Sequence, residues 1–290
     1  MSTLPTKLAY AAFLNDGPVL AQYARENEHT GRSYVDPETG MKYPSVTTVL
    51  KNTPKGDLMR WAARVVAERA RDRVDIVLGD PDKVVDRLQY APSDYRDERA
   101  WVGSGIHKAV DAHMKNLWHD DSEFTNEQHT IMSHFDSFLD DYSVEPILSE
   151  CTILGDGYMG TLDGVWKFKN KWTGKTFTSL VDVKTSKSVW PDHEYQLAAL
   201  SKATHWFEMV GEGTPESFLH KHPSLGDTWW LKHDGMPHFD NVHILHVTKD
   251  GYDFIPVLDI EENYSVFRSY LELWGNLNVL KQKRKERDFG

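Results

Sequence analysis

The sequence predicts an α/β fold, with a central mixed β-sheet flanked by helices and a mostly helical N-terminal lobe. Three observations carry this. Apolar residues recur at helical spacing toward both ends of the chain, strands dominate from Val144 to Lys184, and the order is helices, strands, helix, strands, helix. At 290 residues, 40% hydrophobic and 27% charged, the chain is long enough to bury a substantial core in one large domain or two lobes. The expected division is a helical lobe with a small hairpin over 1–100 and the sheet-bearing core with its C-terminal helix over 101–290.

GRSYVDPETGMKYPSVTTVL reads as a hairpin, Tyr34 to Tyr43 across a PETG turn, leading into a helix. A helix from about Asp57 to Arg73 sets Leu58, Trp61, Ala62, Val65, Val66 and Ala70 on or near one face. GDPD starts a short helix over Asp82–Tyr90, and SDYRDERAWVGSG reads as a polar connection. Ser104 is the candidate N-cap of the next helix, which puts His107 in its first turn. His107 lies at the edge of an apolar stripe of Ile106, Val110, Met114 and Leu117, while Asp111 and His113 fall on other faces. Thr125 can cap a helix running to Tyr142, with Ile131, Phe135, Phe138 and Leu139 inward. After the strands, a helix begins near VWPDHEYQ with Asp192 as N-cap and Tyr195, Ala199, Ala203, Trp206 and Val210 toward the core. Gly211–Gly226 reads as a loop, and TWWLKHDG, HILHVTKDG and YDFIPVLDI read as strands. The last helix runs from about Glu262 to Lys285.

The chemistry concentrates in GTLDGV, with Asp163, and SLVDVKTSK, with Asp182 and Lys184. FKNKWTGKTF between them is a turn candidate, and pairing two strands about Trp172–Thr173 sets Asp163 opposite Asp182. Directly paired residues have Cβ atoms about 4.5–5.5 Å apart, and like charges there repel. A divalent metal with oxygen ligands is the natural counter-ion. Side chains alternate along a strand, so Asp182 and Lys184 share a face while Val181 and Val183 form an apolar back. Metal plus ammonium suits phosphodiester hydrolysis. The competing reading is a surface hairpin with solvated charges, because Asp-x-Lys by itself is common. Gln196, in the first turns of the following helix, would need partners if buried. Glu150, in the strand VEPILSECTIL just upstream, is a further carboxylate. It suits a residue supporting the site, a ligand for another metal, or an edge-strand surface position.

As an ordered set, GSGIHKAV, GTLDG, VDVKTSK and EYQLAAL resemble the PD-(D/E)XK nuclease superfamily in its RecB-like branch. The order there is a helical His, Gly-x-x-Asp, Asp/Glu-x-Lys and a helical Gln-x-x-x-Tyr. The likeness covers roughly Gly103 to Ala203, and YPSVTTVLKNTPKGDLMRWAARVVAERA resembles the N-terminal segment of bacteriophage exonucleases of that branch. Leu162 stands where the superfamily name has Pro, and Leu200 where the last motif has Tyr. The resemblance implies a restriction-endonuclease-like core and Mg²⁺ or Mn²⁺ held by His107, Asp163, Asp182 and the Val183 carbonyl. It makes Lys184 the catalytic lysine and has Gln196 positioning DNA or Lys184, with Glu150 near the site. It implies an exonuclease acting on DNA in phage recombination or replication, with a recombinase or single-strand-binding protein as partner. The alternatives are an endonuclease of the same fold, a nucleic-acid-binding protein on a decayed nuclease fold, and a hydrolase of small phosphate esters. Some members bind an iron–sulfur cluster through four cysteines. Cys151 is the single cysteine here, so no such cluster can form within a monomer.

One cysteine also allows no internal disulfide and fits a reducing compartment. MSTLPTKLAYAAFLNDG lacks a basic region followed by a long apolar core, so no signal peptide is expected. No apolar run reaches the roughly 20 residues of a membrane span. The expected location is cytoplasmic, meaning the host cytoplasm for a phage protein. A net charge of −11 argues against a protein that coats DNA non-specifically. Local basic patches remain at Lys51, Lys55, Arg60 and Arg64, at Lys167, Lys169, Lys171 and Lys175, and at Lys281–Arg287. Trp101, Trp166, Trp190 and Trp230 are candidates for stacking on bases, against core packing.

Overall fold

The computed structural model describes residues 21–23, 32–36, 38–54, 56, 58–210, 220–221 and 229–289. β1 (Ala21–Tyr23), β2 (Arg32–Val35) and β3 (Lys42–Pro44) form a small antiparallel sheet. Tyr34 pairs with Tyr43, as the PETG turn predicts, and Gly40 supplies the positive φ of 70° that this turn needs. The helices that follow are α1 (Val46–Val49), α2 (Leu58–Asp72), α3 (Val74–Val77) and α4 (Pro81–Leu88). Ser45 caps α1 by accepting the Thr48 N–H at 3.0 Å, and Asp80 caps α4.

α5 spans Ala91–Met114 and α6 spans Asn126–Asp141. α6 starts with the reciprocal cap of Thr125 and Gln128. α5 corrects the sequence reading. The stretch expected to be a polar connection is helical, Tyr90 occupies the N-cap position, and His107 lies deep in the helix rather than in its first turn. The 100/101 division falls inside this helix, and Val46, Val49 and Leu50 of the N-terminal part pack into the main core.

β4 (Tyr142–Gly155), β5 (Tyr158–Asn170) and β6 (Thr176–Lys184) come next, followed by α7 (Pro191–Ser201). β7 (His205–Val210), β8 (His220–Lys221), β9 (Trp229–Asp234), β10 (Asn241–Thr248), β11 (Gly251–Pro256) and α8 (Ile260–Phe289) complete the described chain. α7 is shorter than its apolar spacing suggests. It ends at Ser201, and Trp206 and Val210 belong to β7, where hydrogen bonding to β9 outweighs helical periodicity. Its N-cap is Trp190 rather than Asp192, with Pro191 in the first turn. Apart from β8, the loop expected over Gly211–Gly226 lies outside the described residues, as do Lys55 and the side chain of Trp230.

Eight strands form one mixed sheet in the order β11-β10-β6-β5-β4-β7-β9-β8. β6 and β10 are parallel, and every other pairing is antiparallel. Val49, Leu162, Leu180, Leu200, Ile244 and Phe267 build a core between one face and α1, α7 and α8. Ile106, Phe135, Phe138, Trp166, Val181 and Val183 build a second core between the other face and α5 and α6. This is a helix–sheet–helix sandwich, the α/β architecture that the alternation of elements predicts. Among the described residues no helix is long and apolar enough to cross a membrane.

Candidate metal centre

β5 and β6 pair from Lys169↔Thr176 to Gly164↔Val181, and one further step of that register sets Asp163 across from Asp182. The turn therefore centres where the sequence places it. On the other flank of β5, Ser149 pairs with Gly164 and Cys151 with Leu162, which sets Glu150 across from Asp163. Three carboxylates thus occupy adjacent positions on β4, β5 and β6. The backbone is irregular here. Glu150 has φ of 45°, a left-handed conformation that costs a non-glycine residue about 1 kcal/mol or more. Asp163 Oδ2 accepts the Val183 N–H at 2.6 Å.

α5 brings in the imidazole. His107 Nδ1 lies 3.5 Å from Asp163 Oδ2. Two glycines let the helix come this close. A Cβ on Gly103 would sit 3.2 Å from Thr185 Oγ1, and one on Gly105 only 2.5 Å from Gln128 Nε2. One ligand atom from each of His107, Glu150 and Asp163 can be chosen so that all lie within 4.8 Å of one another, a group able to hold a metal ion.

Asp182 does not join that group. Its side chain is 1% exposed and ion-pairs with Lys184, and its Oδ1 accepts from Gln196 Nε2 at 3.1 Å. Lys184 Nζ donates to Gln196 Oε1 at 3.3 Å, closing a triangle of aspartate, ammonium and amide. α7 supplies Gln196, so the buried amide has the partners it needs. The clustered side chains differ from the implied ligand set at one position. Glu150 stands in the cluster where the resemblance implies Asp182, and the Val183 N–H is donated to Asp163. Glu150 is not on an edge, because β4 lies between β5 and β7.

The electrostatics follow from this layout. Burial, and then the Asp163 charge, push the Glu150 carboxyl up to about 8. Burial disfavours a charged His107, but the Asp163 carboxylate outweighs it and holds the imidazole at about 9. Burial likewise opposes ionisation of Asp163, yet His107, Lys184 and the Val183 N–H keep it below the usual carboxylate range. Asp182 is pushed up to about 6 by burial and by Asp163, against the pull of Lys184. Burial works against the Lys184 charge, and Asp182 and Asp163 together keep its pKa above the ordinary lysine value.

Sequence reasoning set Asp111 on another face from His107, and so missed a neighbouring set. Asp111 lies one turn beyond His107 on α5 and accepts from Ser149 Oγ at 2.7 Å. Lys115, a further turn on and only 3% exposed at its side chain, ion-pairs with Asp111. The i, i+4, i+8 spacing of His107, Asp111 and Lys115 was the available signal. Of the tryptophans, Trp166 is core, while Trp101 and Trp190 are exposed. Neither a protein-family model nor a curated protein matches this chain.

Proposed function

We propose that this chain is a divalent-metal-dependent DNA nuclease of the PD-(D/E)XK type, acting as an exonuclease in phage recombination or replication. One observation carries the reading. His107, Glu150 and Asp163 converge on one point, and the adjacent strand presents Lys184 beside them, tied to Asp182 and Gln196. The donor set fits a divalent ion. In the metal-free protein His107 and Glu150 hold protons; once an ion displaces them, four carboxylates, Glu150, Asp163, Asp182 and Asp111, stand against two lysines, Lys184 and Lys115, a deficit that one divalent cation closes. Two carboxylates and an imidazole suit Mg²⁺ or Mn²⁺, with the imidazole favouring Mn²⁺.

When bound, the ion supplies Lewis-acid polarisation of the phosphate and lowers the pKa of a coordinated water. The side chains do the rest. Lys184 offers a fixed positive charge to the oxygens of the phosphate as negative charge builds there. Asp182 and Gln196 hold its ammonium in place, so no reorientation is needed during reaction. His107 steadies Asp163 from the α5 side, and the Val183 N–H donates to the same carboxylate oxygen, Oδ2.

The test is Mg²⁺- and Mn²⁺-dependent cleavage of end-labelled linear DNA beside closed circular DNA. Loss of the linear substrate alone, abolished by Lys184→Ala and by Asp163→Asn, is expected. Cutting of the circle would make the protein an endonuclease. No cleavage with either ion, or cleavage that survives both substitutions, would remove the nuclease reading.

A further inference from the structure

Glu150 brings its carboxylate to His107 and Asp163 from a left-handed backbone conformation that is unfavourable for a glutamate. Something must hold β4 in that shape. The residue before it, Ser149, is 6% exposed, and its hydroxyl donates to Asp111 Oδ1 at 2.7 Å. The other oxygen of Asp111 is engaged by the buried ammonium of Lys115. Asp111 and Lys115 sit one and two turns beyond His107 on the same side of α5. Helix and strand are therefore tied together directly behind the cluster.

We propose that Lys115, Asp111 and Ser149 form a brace that positions Glu150 as a metal ligand, with Lys115 as a built-in counter-ion. The inference rests on the metal-dependent reading above. A buried lysine costs several kcal/mol to desolvate and gives less stability than an apolar side chain of similar volume. A geometric task next to a ligand accounts for its place. Lys115 orients Asp111, and Asp111 fixes the Ser149 hydroxyl and with it the left-handed backbone at Glu150. The charge of Lys115 also offsets the repulsion between Glu150 and Asp163 when both are ionised. None of the three belongs to the His107, Glu150 and Asp163 group, so they act as positioning residues. Groups that support metal ligands in this way are worth about 10–100-fold in metal affinity.

The experiment is Mn²⁺ binding to the full chain, without DNA, by titration calorimetry. Ser149→Ala removes only the hydroxyl, and Ser149→Thr restores one. The alanine variant is expected to weaken Mn²⁺ binding about 10-fold and the threonine variant to recover most of it. Asp111→Asn keeps an acceptor for Ser149 and is expected to bind Mn²⁺ more tightly than Asp111→Leu. Circular dichroism with a melting curve on each metal-free variant identifies any that fails to fold, and the Ser149 pair carries the test if the Asp111 pair does. Wild-type affinity in Ser149→Ala, or no recovery in Ser149→Thr, would overturn the brace. So would a wild-type chain that binds no Mn²⁺. A wild-type chain that binds Mn²⁺ but cleaves no DNA would sink the nuclease reading and leave the brace standing on the affinity series.

Discussion

Asp163 and Asp182 face each other across β5 and β6, and their surroundings differ sharply. Asp182 is closed off, with an ammonium and an amide from its own chain and 1% exposure. Asp163 is partly open, 15% exposed at its side chain, and shares its space with His107 and a second carboxylate, Glu150. One carboxylate has its counter-charge supplied by the fold. The other sits in a cluster whose charge is balanced by protons on His107 and Glu150, which a bound cation can replace. A lysine two residues along the same strand is what separates the two cases.

The strongest way to break this comparison is to neutralise the open side. Asp163→Asn is expected to reduce Mn²⁺ affinity at least about 100-fold and to abolish cleavage, with the fold retained by circular dichroism. If Asp182→Asn destroys metal binding while Asp163→Asn does not, the roles of the two carboxylates are reversed.

Removing the internal cation comes next. Lys184→Met is expected to lower the cleavage rate about 10²–10³-fold. It also leaves a buried carboxylate without its partner, at a cost of about 3–5 kcal/mol. That cost should be larger at pH 8 than at pH 5, because Asp182, at about 6, is protonated in acid. Denaturant melts at both pH values measure it. Adding Asp182→Asn to Lys184→Met should recover stability without recovering cleavage.

A pH series sharpens the comparison further. Glu150 and His107 both have folded pKa values above their ordinary ones, about 8 against 4.5 and about 9 against 6.5. Such groups give stability that is fully present below the unfolded value and lost as pH rises through the folded one. The metal-free protein should therefore lose melting temperature between about pH 5 and pH 9. Glu150→Gln should flatten the part of that loss below pH 8, and a slope unchanged by this substitution would remove Glu150 from the cluster.

The smallest effect is expected for Gln196→Ala. It removes one modest hydrogen bond to Asp182 and one to Lys184, so stability should fall by about 1–2 kcal/mol. Cleavage should slow by roughly 10-fold through kcat rather than KM, since Gln196 acts by holding Lys184 still.

What was legible in the chain was what local rules control. The turn centred on Trp172–Thr173 fixed the β5–β6 register, and strand alternation put Asp182 and Lys184 on one side with Val181 and Val183 buried on the other. The Thr125 cap of α6 was readable for the same reason. Other features were hidden because their cause is distant. The stretch of α5 from Ser93 to Gly105 carries charged residues and two glycines, so it reads as a linker, yet those glycines make room for the side chains of Thr185 and Gln128. Trp206 and Val210 continue a helical spacing, but β4 and β9 claim that segment as a strand.

The sequence by itself determined the α/β class, the order of elements and the facing of Asp163 and Asp182, because turn position and side-chain alternation act over a few residues. Only the tertiary structure decided that Glu150, rather than Asp182, joins His107 and Asp163. That choice depends on a left-handed backbone at Glu150, on α5 packed tightly across the strands, and on α7 delivering Gln196 to Asp182. Each of these brings together parts of the chain far apart in sequence, where packing and not local propensity sets the geometry.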